Sequence, residues 1–258
     1  MFWRKKRPTI DTETVDWILE CWQWLDEVLG PVDAGPPRQM IRPSRSLFPD
    51  TSLKGHQKAE HYFARVQALC GLGDWPVELK AQAPAPDLGQ SVVFAAQQSR
   101  KALGTFRTKG NAAVITYDPG QLNDPIQLIA TFAHELAHYV LLNARDDPPG
   151  GPELEELATD LATVHLGFGL FGANAAFSFK QSTDFDRQGW SSSRSGYLGE
   201  GGWCFACALF AEILEIEPET YRAYTKDSVA AQIRKDRLYL ASKPEIVRNC
   251  RSEVGVPA

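Results

Sequence analysis

The sequence predicts a mostly helical α+β fold with a small sheet ahead of its motif-bearing helix, and three observations carry that expectation. Apolar residues recur at three- and four-residue steps over long stretches in the first and last parts of the chain; short alternating or β-branched runs are confined to 77–117; and a histidine pattern lies in a helical stretch directly after them. With 258 residues, 43% of them apolar, the chain can bury a sizeable core. We read 1–258 as one domain, with an N-terminal helical region (1–75) and a C-terminal helical region (196–258) packed on its centre.

From Asp11 to Leu29, Val15, Ile18, Leu19, Trp22, Leu25 and Val28 form an apolar stripe that Gly30 and Pro31 terminate, which reads as an amphipathic helix. Trp17, Trp22 and Trp24 belong to this helix and read as core rather than as a partner surface. The stretch from Asp33 to Pro49, rich in Pro, Gly and Arg, is a connector. Helical spacing resumes over Gly55 to Leu72 through Ala59, Phe63, Val66 and Cys70. Val77 to Ala81, Ser91 to Ala95 and Ala112 to Tyr117 then read as short strands. After Asp118, Pro119 and Gly120 a helix runs from about Asp124 to Asn143, and a second Pro and Gly break leads into another from Pro152 to Leu166. A polar loop and two more helices fill the last third.

A net charge of −5 and a pI near 5.6 give no basic footprint for nucleic acid or anionic lipid, so neither is expected as a partner. The basic cluster Arg4 to Arg7 does not lead into the apolar run of a signal peptide, and no stretch reaches membrane-spanning length. Five cysteines, an odd number set mostly in apolar contexts, suggest reduced thiols and a cytoplasmic protein. Cys204 and Cys207 form a CxxC, but the surrounding WCFACALF reads as core.

Within ATFAHELAHYVLL, His134, Glu135 and His138 make an HExxH pattern. Residues four apart on a helix lie one above the other, so both imidazoles can approach one ion while Glu135 reaches a water on it. Between Leu128 and Leu142 the clearly polar residues are Thr131, His134, Glu135 and His138, and at about 100° per residue these fall in one arc of roughly 100°. A buried polar stripe needs partners. The bland explanation is two core histidines bonded to backbone carbonyls; a metal would satisfy both rings at once.

A catalytic zinc takes three protein ligands and keeps one position for water. The next helix, GPELEELATDLATVHL, offers Glu153, Glu155, Glu156 and Asp160. Glu156 shares a face with Asp160 and Thr163 beside the stripe Leu157, Leu161 and Val164, which places it at the core edge. Glu155 points about 100° away, and Glu153 suits the first turn of any helix. Glu156 is therefore the expected third ligand, and Asp160 is expected to accept the remaining N–H of a ligand histidine.

HELAH followed by EELATD resembles the gluzincin metallopeptidases, in which HExxH is joined by a glutamate of an ExxxD motif on a following helix. The resemblance implies His134, His138 and Glu156 as zinc ligands, Glu135 as general base, and Asp160 bonded to a ligand. It also implies a zincin-like fold in which the strand before the motif helix, here Ala112 to Tyr117, binds substrate backbone. The two helices, separated by a connecting loop, would lie antiparallel. The glycine and third histidine of the metzincins are missing after His138, and the cysteine ligand of peptide deformylases has no counterpart.

For the donor that steadies the oxyanion, the polar stretch Asp184 to Trp203 offers Tyr197, with Arg194 behind it. His165 lies half a turn from Glu156 and reads as a helix-end histidine; His56 and His61 have no ligand-spaced partners. The expectation is a cytoplasmic zinc metallopeptidase acting on a peptide or protein substrate. The alternatives are a non-catalytic zinc-binding interaction module and a zinc amidase acting on a non-peptide amide.

Overall fold

The computed structural model describes residues 6–34, 38–83, 104–109, 112–142, 144–182 and 198–251. Helix α1 (Thr12–Leu29) is capped by Asp11, whose carboxylate accepts the Thr14 N–H at 2.9 Å, and buries Val15, Ile18, Cys21, Trp22 and Leu25. Trp22 is fully buried, while Trp17 is partly buried and donates to Pro149 O at 2.8 Å. After the connector come α2 (Gly55–Leu69), β1 (Val77–Ala81), β2 (Gly104–Lys109) and β3 (Ala112–Tyr117). The connector is not surface loop alone: Met40, Ile41 and Phe48 are buried, and Ile41 N–H bonds Gly167 O at 2.8 Å.

The sheet has the order β1-β3-β2, with β1 parallel and β2 antiparallel to β3. The sequence reading missed β2, and its expected strand Ser91 to Ala95 lies outside the described residues. β3 is the central strand. Its backbone groups are committed to ladders on both sides, so the expectation that it binds substrate backbone is corrected. Among the described residues β2 is bonded only to β3 and has an open edge.

A 3-10 turn, Pro119–Asn123, leads into α3 (Pro125–Leu141), with Asp124 as its cap and Pro125 in its first turn. This helix packs on β2 and β3 through one side and on α4 (Glu155–His165) through another. α4 begins three residues later than the sequence suggested, because Pro152–Leu154 form a separate 3-10 turn. It ends where Gly167 takes a positive φ of 95°, a conformation that favours glycine after a helix.

The last third is more helical than anticipated: α5 (Gly169–Ser182), α6 (Glu200–Ile213), the single turn α7 (Glu219–Arg222), α8 (Asp227–Leu240) and α9 (Pro244–Asn249). Gly169 and Gly172 look like helix breakers in sequence. They lie in α5 where a Cβ would collide with Cys207 and Trp203 of α6, so they permit close helix approach. Cys204 and Cys207 are fully buried core thiols, and burial pushes the Cys207 thiol up to about 12. All five cysteines are free.

Two apolar cores result. One joins α1, α4, α5, α6 and α8; the other joins α2, β3 and α3 with Phe168 and Phe171. α3 borders both, Ala137 facing the first and Phe132 and Leu136 the second, so the face it turns to α4 lies where the cores meet. Among the described residues no helix is long and apolar enough to cross a membrane.

Candidate metal centre

The polar arc of α3 meets the Glu156 face of α4. His134 pairs with Asp160 and Glu156, and His138 with Glu156 and Thr159. His134 Nε2 is 3.3 Å from Glu156 Oε2, and His138 Nε2 is 3.6 Å from Glu156 Oε1. One ligand atom from each of the three residues lies within 4.8 Å of the others, so His134, His138 and Glu156 can hold a metal ion. The choice among the acids follows the sequence reading: Glu153 and Glu155 are exposed, whereas Glu156 is half-buried against the histidines.

The protein orients both rings through Nδ1. His134 Nδ1 is 2.9 Å from Asp160 Oδ1, and a carboxylate only accepts, so Nδ1 carries the proton and Nε2 faces Glu156. Asp160 is itself fixed: it is 4% exposed and its Oδ2 accepts the Leu198 N–H at 2.7 Å. Thr159 does the same for His138. Its hydroxyl donates to Glu155 O at 2.9 Å, which leaves the oxygen to accept from His138 Nδ1 at 3.3 Å. Sequence reasoning missed Thr159, although its position three residues after Glu156 puts it on the same helix face. Thr163, which sequence placed on that face, instead donates to Thr159 O at 2.9 Å.

The donor set suits a metal for a further reason. Glu156 Oε2 is buried with no hydrogen bond among the described residues, an orphaned carboxylate oxygen between two imidazoles. The two imidazoles hold the Glu156 carboxyl well below the usual carboxylate range against the opposing effect of burial. Burial disfavours the His134 imidazolium, but the Asp160 and Glu156 carboxylates and the nearby Glu135 charge outweigh it and push the ring up to about 10. A metal ion held at Nε2 would take the place of that proton.

Glu135 is 5% exposed. Burial raises its pKa against the lowering effect of His134 and His138, while Glu156 adds to the rise. A carboxylate so placed takes up a proton more readily than one in water.

The structure therefore brings together His134, Glu135, His138, Glu156 and Asp160. Tyr197 and Arg194 lie outside the described residues. His165 ends α4 as expected but is fully buried: Nε2 is 2.8 Å from Asp26 Oδ1 and Nδ1 is 2.8 Å from Arg38. His56 stacks on Tyr117 at 5.9 Å between ring centres, with Nδ1 3.1 Å from the phenol oxygen.

Fold and site together define an α+β protein with a two-histidine, one-carboxylate centre that can bind metal. Comparison with family models, curated proteins and solved structures finds no match for this chain.

Proposed function

We propose that the protein is a zinc-dependent metallopeptidase of the gluzincin kind, with His134, His138 and Glu156 as ligands and Glu135 as general base. The observation that carries this reading is the convergence of two Nδ1-anchored imidazoles and an orphaned carboxylate beside a buried glutamate of raised pKa. Two histidines and one glutamate form a donor set of catalytic zinc. When bound, zinc supplies Lewis acidity, which makes water a nucleophile near neutral pH and polarises a carbonyl. Glu135 takes the proton of the attacking water and passes it to the leaving amine; its buried setting favours the protonated form that the second transfer needs. Asp160 and Thr159 hold the ligand rings in the tautomer with Nε2 presented. Tyr197 is the sequence's candidate for the oxyanion donor. Among the described residues β2 is an edge strand, and its unpaired side, rather than β3, is suited to receive an extended peptide.

Metal analysis of protein prepared under reducing, chelator-free conditions tests the reading, with about one zinc per chain expected. Glu135→Gln should keep the zinc and lose peptide cleavage by roughly 10²- to 10⁴-fold. Iron in place of zinc, or cleavage unaffected in Glu135→Gln, would sink it. A peptide library together with non-peptide amides separates a peptidase from another amidase.

A further inference from the structure

The polar arc of α3 does not stop at His134. One turn earlier lies Thr131, and at about 100° per residue its direction falls between those of His138 and Glu135. Thr131 is nevertheless buried, and the side chain bonded to it is Gln121, whose Nε2 donates to Thr131 Oγ1 at 2.7 Å. Gln121 therefore lies over the helix face that carries the ligands and the base.

Its backbone is fixed in the 3-10 turn, with its N–H on Asp118 O at 3.0 Å and its carbonyl accepting the Asp124 N–H at 2.8 Å. The residue is 6% exposed, yet its Oε1 is buried with no hydrogen-bond partner among the described residues. An unpaired buried acceptor is a defect in a packed interior. Leucine or methionine would fill the same space without it. A buried polar atom left unpaired beside a hydrolytic centre is what a site built to hydrogen-bond its substrate contains before the substrate arrives.

We propose that Gln121 is a substrate-recognition residue whose carboxamide oxygen, anchored by Thr131 one turn before Glu135, accepts a hydrogen bond from a backbone N–H of the bound peptide. This rests on the peptidase reading and names the chemistry it recognises: a peptide backbone, through a bond that is not cleaved. Because the bond is made equally in the ground and transition states, it acts on KM and leaves kcat unchanged.

The test pairs Gln121→Leu with cleaved peptides in which one non-scissile N–H at a time is replaced by an ester oxygen. In the wild type, one replacement should raise KM about tenfold with kcat within about twofold. Gln121→Leu should raise KM of the all-amide peptide about tenfold, bind zinc as the wild type does, and show no further loss with that same ester peptide. Unchanged KM in the variant, or losses that add at every position, overturns the proposal while leaving the peptidase reading intact. A zinc-loaded wild type that cleaves no peptide overturns both. Should Gln121→Leu not fold, Thr131→Val reads the same coupling by releasing the anchor, and Thr131→Ser, which keeps the hydroxyl, should restore the wild-type KM.

Discussion

His134 and His165 are both enclosed in the protein, both are paired to an aspartate, and both sit at the contact of α4 with another segment, yet their surroundings differ in one respect. At His165 each ring nitrogen is consumed by a protein partner. Arg38 is a donor only, so Nδ1 must accept, and the single proton of a neutral ring lies on Nε2 and is given to Asp26. Burial and the Arg38 charge keep this imidazole neutral. At His134 the aspartate takes Nδ1, and Nε2 is turned to a glutamate oxygen that has no hydrogen bond. A histidine–carboxylate pair in a core is thus not by itself a metal site. What matters is whether the second nitrogen meets a donor that saturates it or a carboxylate that can share an ion.

The two networks also serve different links of the chain from packing to function. Arg38 donates to Leu29 O and His165 O, both at 2.9 Å, and these are the last carbonyls of α1 and α4. It therefore pairs helix ends that would otherwise be left unsatisfied, and its role is stability. Asp160 and Thr159 pair ring nitrogens, and theirs is to orient the two imidazoles of the candidate centre.

The largest expected effect would break this comparison most directly. His134→Ala should abolish zinc binding, whereas His165→Gln should retain about one zinc per chain, as read by metal analysis of folded protein. Loss of zinc in the second variant would show that the two sites do not divide as described. Next, Arg38→Met should leave zinc content unchanged but cost roughly 3 kcal/mol of stability in urea unfolding, because it leaves buried carbonyls and Asp26 without their cation. A cost near zero would mean that water takes over these groups. Smaller again, Asp160→Asn should weaken zinc about 10- to 100-fold by competitive chelator titration, and Thr159→Val less, because its bond to His138 is longer and uncharged. Equal losses in the two variants would contradict the ranking.

How far sequence alone reaches follows the same division. The group that could hold a metal was legible because each half of it is local: four residues along α3 bring the histidines together, four along α4 place Glu156 and Asp160, and each spacing is a helix period. The triad around His165 was not legible. Its partners are 127 and 139 residues away in sequence, and only tertiary packing brings Arg38 and Asp26 to one ring. Gln121 was missed for a similar reason, since nothing local tells a turn glutamine that covers a helix from one in water. α5 was missed because Gly169 and Gly172 signal a break by propensity but serve close packing. In β2, Gly-Thr-Phe-Arg-Thr-Lys lacks an apolar run, and its pairing with β3 comes from the hairpin partner.

The smallest effect sharpens the contrast through pH. Burial and the neighbouring Asp33 raise Asp26 to about 7 despite the Arg38 charge, from an ordinary value of 3.8. Between about pH 4 and pH 7 the folded state therefore holds a proton on Asp26 that the unfolded chain has released. Stability rises with pH where the unfolded state binds more protons, and here the folded state binds more, so this group makes stability fall across that window and contributes no further change above it. His165 acts with the opposite sign, since it stays neutral in the fold and takes a proton in the unfolded chain below about 6.5. Asp26→Asn keeps an oxygen to accept the His165 N–H and removes only the first contribution. The stability of the wild type relative to this variant, measured by urea unfolding at half-unit steps, should decline from pH 4 to pH 7 and then level off. Subtracting the two curves cancels every group they share, including the metal ligands. A flat difference would place Asp26 as an ordinary ionised partner of Arg38, and the two histidine networks would then differ in geometry alone.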